Sequence, residues 1–338
     1  GCYVGTFRAA NNDTSNCVNV AAGKVGRTTN AATTGLADSI HQTGAAFEVG
    51  CYAGTYRTAN NDASDCINVP AGKVGHSASA STTTTHETGA YQLADCPAGT
   101  FKAAAGTSVC ADVAAGKVGR KVAGARTTVA NSIHESAATV EEGCVAGSWR
   151  QASSGNSNCV VVPAGSVGRV AADADAVANQ AAAAFISPCS AGYYRDAARS
   201  TALGDCEDIA AGKQGQLLGT GAVYASTGAK FQVACVAGKF EPDGDAACAD
   251  VAAGKVGRTT NAATTGLADS IHQAGAAFEV GCFAGTYRTA NNDASDCIDV
   301  PAGKVGHSAS ASTTTTHETG AYQLADCPAG TFKAAAGT

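Results

Sequence analysis

Fifteen cysteines, seven histidines and 28 acidic residues are the side chains of this chain whose type and spacing bear on chemistry. The cysteines alternate between gaps of 13 to 17 and gaps of 29 to 34 residues, so none has the C-x-x-C spacing of zinc ribbons or dithiol redox sites. Disulfides are the chemistry that remains. Short-gap pairing gives Cys2–Cys17, Cys51–Cys66, Cys96–Cys110, Cys144–Cys159, Cys189–Cys206, Cys235–Cys248 and Cys282–Cys297, with Cys327 left for a cysteine beyond Thr338. Long-gap pairing, Cys17–Cys51 through Cys297–Cys327, leaves Cys2 alone and fits the odd count equally well. In the chain-entropy model a closed ~15-residue loop stabilises by roughly 3 kcal/mol, and small units that cannot bury enough apolar surface need such a staple. Persistent disulfides imply an oxidising, extracellular setting.

The other reactive side chains form no recognisable catalytic set. His41, His86, His134, His272 and His317 recur in the context Ser/Thr-x-His, and His76 and His307 follow glycine. They are read as hydrogen-bond partners between units, with metal ligation between stacked units as the alternative. His86-Glu87, His134-Glu135 and His317-Glu318 lack the second histidine of a metalloprotease helix. Lys24, Lys73, Lys117, Lys255 and Lys304 follow Ala-Gly without the Ser/Thr of a phosphate loop, and no G-x-S-x-G elbow occurs. No enzyme is expected. Asp243-Gly-Asp245 and Asn61-Asp62-Ala-Ser-Asp65 offer oxygens of the kind Ca²⁺ takes, but neither has EF-hand spacing. They are read as turns, with no metal and no cofactor. Asn12-Asp13-Thr14 is an N-glycosylation sequon. The hydroxyl-rich runs 77–85 and 308–316, notably Thr82, Thr83, Thr84 and Thr85, read as acceptors for O-glycans.

The elements that must position these residues are themselves repeated. Odd-numbered cysteines open the phrase seen at Cys51-Tyr-Ala-Gly-Thr-Tyr56-Arg57 and Cys96-Pro-Ala-Gly-Thr-Phe101-Lys102; even-numbered ones open Cys66-Ile-Asn-Val69-Pro70-Ala-Gly72-Lys73 and its relatives. Repeats 1 to 7 span 2–50, 51–95, 96–143, 144–188, 189–234, 235–281 and 282–326, and 327–338 opens an eighth. Residues 17–107 recur at 248–338, an offset of 231 residues, with few changes. Such periodicity marks a repeat array. With no methionine and an opening inside a recurring phrase, the sequence reads as a mature chain or a window of a longer one.

Within a repeat, Phe47-Glu-Val49-Gly, Phe231-Gln-Val233-Ala and Phe278-Glu-Val280-Gly alternate with the period of a strand. Ala-Gly and Pro-Ala-Gly supply turns. The Ala-rich stretch 171–184 sits where other repeats carry Thr-rich connectors and is read as irregular rather than helical. The aromatic after Ala-Gly (Phe7, Tyr56, Phe101, Trp149, Tyr194, Phe240, Tyr287, Phe332) is expected to form a small core on the disulfide of its own repeat. The Arg or Lys after it, present in seven of eight repeats, is expected to stay solvated or to pair with an acid. The expected class is mainly β: small disulfide-stapled repeats in tandem, an elongated array.

Composition narrows the function. Net charge is −6 without clustered Lys/Arg, which excludes the basic face that nucleic acid or anionic lipid requires. No apolar run approaches the ~18–20 residues of a membrane span. Glycine, at 41 of 338 residues, and an aromatic content of 6% leave too few large side chains for one large core.

The phrase Cys96-Pro-Ala-Gly-Thr-Phe101, with Cys110 following, resembles the ephrin-receptor-like cysteine-rich repeats and the related first module of tumour-necrosis-factor-receptor repeats. The resemblance implies that the two cysteines flanking each such loop pair, the short-gap scheme. Those repeats continue Cys-x-x-Cys-Pro-x-Gly, whereas here Val69 and its counterparts, Val or Ile in every repeat, replace the second cysteine. The expected role is structural: an extracellular fibre, filament, wall or surface appendage whose partners are copies of itself and glycans. The alternative is an adhesin or receptor-like ectodomain that binds a protein or carbohydrate.

Overall fold

Glycine turns flanking each cysteine leave room only for short strands, and the chain folds accordingly. The computed structural model describes residues 1–338 apart from 10–14, 61–62, 79–82, 125–126, 152–154, 173–175, 198–202, 220–222, 292–293 and 310–314. Among the described residues there are fourteen sheets, each of two strands. The protein is mainly β, made of small disulfide-stapled repeats in tandem.

The repeats use two kinds of ladder. Two-residue strands pair across each disulfide loop, as Thr55–Tyr56 with Ile67–Asn68 and Lys239–Phe240 with Ala249–Asp250. After the second cysteine, a four-residue strand pairs antiparallel with the strand leading into the next repeat. Lys73–His76 thus meets Gln92–Asp95 with Val74 opposite Ala94, and Lys213–Gln216 meets Phe231–Ala234 with Gln214 opposite Val233. The period-two segments form the strands Phe47–Gly50, Phe231–Ala234 and Phe278–Gly281. The described part of 171–184 contains no helix. Short 3₁₀ turns occur at Val129–Asn131 and Leu267–Asp269.

The chain divides into two compact units, one of Gly1–Val161, Gly168–Ala171 and Gln180–Phe185, the other of Val162–Val167, Ala172–Asn179 and Ile186–Thr338. In the first, the buried Val25, Val74 and Val118 pack on the disulfides Cys51–Cys66, Cys96–Cys110 and Cys144–Cys159 of the following repeat. In the second, Val167 packs on Cys189–Cys206 and Val256 on Cys282–Cys297. The core is thus a set of small cells, each a valine from one repeat against the staple of the next.

The aromatic is not the centre of these cells, contrary to expectation. Phe7, Tyr56, Phe101, Trp149, Phe240 and Tyr287 are half-buried, Phe332 is exposed, and Tyr194 is buried in a separate cluster with Ile209, Ala225 and Ala229. The place on the disulfide is already taken by a valine of the preceding repeat, as by Val74 on Cys96–Cys110.

Candidate functional site

Polar chemistry converges where one repeat meets the next. The junction is set by a glycine such as Gly72, whose φ of +73° only glycine adopts readily. Its N–H donates to the Lys102 carbonyl at 2.9 Å, and its own carbonyl accepts from the Cys96 N–H at 2.8 Å. A Cβ here would stand 2.4 Å from the Ala137 carbonyl oxygen. Gly116 exchanges the same bonds with Arg150 and Cys144, Gly212 with Glu241 and Cys235, and Gly254 with Arg288 and Cys282.

This exchange carries the residue after the aromatic into the preceding repeat. Arg57, Lys102, Arg150, Arg195 and Arg288 are at most 2% exposed, not solvated as their charge suggests. Arg57 Nη1 donates to the carbonyls of Ala21 at 3.0 Å and Lys24 at 3.3 Å, and its Nε to Ser64 at 2.7 Å. Lys102 Nζ lies 3.0 Å from both Val69 and Pro70 carbonyls. Arg195 Nη1 reaches Val162, Pro163 and Ser166 at 2.9, 3.0 and 3.0 Å, and Lys333 Nζ reaches Val300 at 2.8 Å. The physical cause is the turn after the second cysteine, which leaves carbonyls without a ladder partner; a buried cation satisfies them. Burial holds Lys102, Arg150 and Arg195 below their ordinary pKa ranges.

The remaining candidates resolve into structural partners. Gly26, Gly75, Gly119, Gly257 and Gly306 donate their N–H to Nδ1 of His41, His86, His134, His272 and His317 at 3.0–3.1 Å. His86 Nε2 lies 2.9 Å from the Ser108 carbonyl of the next repeat, so the neutral ring bridges a junction. Burial lowers the pKa of His86, His134 and His317. Lys24, Lys117 and Lys255 pair with Glu48, Glu141 and Glu279, and Lys73 and Lys304 with Asp95 and Asp326.

The seven disulfides are the short-gap ones, Cys2–Cys17, Cys51–Cys66, Cys96–Cys110, Cys144–Cys159, Cys189–Cys206, Cys235–Cys248 and Cys282–Cys297, and Cys327 pairs with no other cysteine of residues 1–338. Thr83 and Thr85 are exposed and Thr84 half-buried; Asn12 and Thr82 lie outside the described residues.

Repeats 5 and 6 meet on different terms. Gln214 stands where the other repeats place the valine, and its Oε1 accepts the Cys248 N–H at 3.0 Å. Main-chain carbonyls do this elsewhere: Ser39 for Cys66, Thr84 for Cys110, Ser270 for Cys297. A cleft of about 350 Å³ opens there, lined by Gln214, Gln216, Val233, Cys235, Lys239 and Cys248 among others. Tyr224 replaces the histidine, and its hydroxyl donates to the Asp245 carbonyl in repeat 6. Glu241 replaces the buried cation and is itself 2% exposed. Its Oε1 accepts from the Asp243 N–H at 3.4 Å and the Gly244 N–H at 3.2 Å, and burial pushes its pKa up. The sequence held a signal for this site, because position 241 breaks the Arg/Lys pattern of the other repeats.

No protein family matches the chain, and no individually characterised protein matches it either. Tandem disulfide-stapled β repeats are consistent with an extracellular structural or surface protein. No described helix is long and apolar enough to cross a membrane.

Proposed function

We propose that the chain is a building element of an extracellular fibre, filament, wall or surface appendage. The observation that carries this reading is the uniform junction: a glycine exchange, a valine on the next disulfide and a buried cation recur with few changes. Contacts that repeat with the chain can also join copies head to tail, and such contacts give filaments when they do not close into a ring. Near-identity of 17–107 and 248–338 fits a role in which many like units are needed. The chain does no catalysis in this reading, since the histidines and lysines weighed for chemistry are tied to main chain or to acids. Glycans on Asn12 and on Thr82, Thr83, Thr84 and Thr85 would coat the outside.

Electron microscopy of native material beside a reduced sample tests this. Regular filaments that are lost on reduction are expected; particles that stay monodisperse at high concentration would overturn it. A second reading, an adhesin or receptor-like ectodomain in keeping with the ephrin-receptor-like phrases, is favoured by the cleft at Gln214 and Lys239. It becomes the better one if unassembled chains bind a ligand that fills that cleft.

A further inference from the structure

Glu241 marks a site that lies beyond the structural role just proposed. At the other described junctions the carbonyl of the residue before the Pro/Ala-Ala-Gly turn holds a cation, buried at all but the last: Val69 takes Lys102, Val113 Arg150, Val162 Arg195, Val251 Arg288 and Val300 Lys333. In repeat 5 that residue is Ile209. It is 2% exposed, and its carbonyl accepts no hydrogen bond among the described residues. Where Gly106 and Gly337 donate their N–H to Val69 and Val300, Gly244 turns its N–H to Glu241 Oε1 instead. Gly244 still presses on the same carbonyl, since a Cβ there would lie 2.1 Å from the Ile209 oxygen.

A buried carboxylate and an orphaned carbonyl oxygen therefore flank one glycine, both electron-rich, at the spot where the sister repeats put positive charge. Ligand oxygens of Glu241, Asp243 and Asp245 lie within 4.8 Å of one another. The loop that carries them is tied to repeat 5 by the Tyr224 hydroxyl on the Asp245 carbonyl. Carboxylates with a main-chain carbonyl are the donor set of a hard divalent cation, and flexible all-oxygen geometry suits Ca²⁺ better than Mg²⁺.

We propose that Ca²⁺ binds at the junction of repeats 5 and 6, held by Glu241, Asp243, Asp245 and the Ile209 carbonyl, in place of the guanidinium or ammonium group of the other junctions. The ion neutralises the buried carboxylate and satisfies the orphaned oxygen, so this junction becomes cation-dependent.

Calorimetric titration of the full, metal-stripped chain with CaCl₂ is the test, beside thermal unfolding with and without the ion. One site is expected, with Kd on the order of 10⁻⁴ M as in extracellular modules, and Tm should rise with Ca²⁺. Glu241→Arg, which restores the sister residue, should abolish the site and make Tm independent of Ca²⁺. Asp243→Asn with Asp245→Asn keeps the buried carboxylate and should weaken binding at least tenfold, which decides the matter should the arginine variant not fold. Absence of one-site binding at millimolar Ca²⁺, or unchanged binding by either variant, would overturn the proposal. So would a Tm that falls as pH rises from 5 to 8 with no response to Ca²⁺, because Glu241 would then be held as a neutral acid.

Discussion

The junction of repeats 2 and 3 and that of repeats 5 and 6 share one backbone plan and differ, among other positions, in three side chains that make the contacts. Val74, Lys102 and His86 at the first become Gln214, Glu241 and Tyr224 at the second. The glycine exchange survives: Gly72 and Gly212 donate to residues 102 and 241 at 2.9 and 2.7 Å. What differs is how the groups this exchange buries are satisfied, by an apolar contact and a cation in one case and by polar side chains in the other. The lesson is that main chain fixes the join, and side chains decide whether it is self-sufficient.

Breaking the staple of each junction should have the largest effect. Cys96→Ser with Cys110→Ser is expected to cost about 3 kcal/mol by denaturant unfolding, the value for a loop of this size. Cys235→Ser with Cys248→Ser should cost less, because Gln214 stands in place of the valine of the other junctions and a cleft already opens beside that disulfide. Equal losses would mean that the valine contact contributes nothing.

Next come Lys102→Met and Val74→Gln. The first leaves the Val69 and Pro70 carbonyls with lost partners and is expected to cost about 2 kcal/mol. The second buries an amide at a fully enclosed position, again at about 2 kcal/mol. The reverse change, Gln214→Val, should bring no gain, since it removes the acceptor of the Cys248 N–H. A clear rise in Tm for Gln214→Val would show that the cleft, not that hydrogen bond, governs the junction.

Acid should separate the two junctions further. His86 is held below the ordinary histidine value by burial, so the unfolded chain takes up the proton first. Its contribution is complete above about pH 6.5 and is lost as pH falls below that, until the ring protonates in the folded state. Protection of the Gly75 amide, which donates to His86, should fall over that range once exchange is referred to its intrinsic rate at each pH, while protection at Gly215 should not respond. A uniform response would remove histidine as the cause.

The smallest effect concerns the connector. Ala137 and Ala182 hold φ of +53° and +58° where other repeats use Gly44, Gly89, Gly228, Gly275 and Gly320. Ala137→Gly should therefore stabilise, by no more than about 1 kcal/mol, by relieving left-handed strain. A loss would show that the methyl group makes a useful contact.

Much of this was legible in the residues. Fixed cysteine phrases and period-two segments such as Phe47-Glu-Val49 indicated stapled β repeats, because turn chemistry and alternation are local properties. The junction was not legible in the same way. Arg57 looks like a surface cation in sequence, since its Nη1 partners are carbonyls 33 to 37 residues away that leave no trace in residue type. The aromatic looks like a core residue, yet the place on the disulfide is taken by a valine of the preceding repeat. Glu241 was visible as an exception to a pattern, but its meaning required knowing that the pattern is buried.

The staples also bear on how the chain answers a pull. Each disulfide closes 13 to 17 residues of sequence, and at ~3.5 Å per extended residue that withholds roughly 45–60 Å of contour per repeat from any load. Tension on the oxidised chain can draw out only the longer segments between staples, after which the covalent path is taut. Every repeat thus carries its own travel limit, which a reductant releases and an oxidant resets.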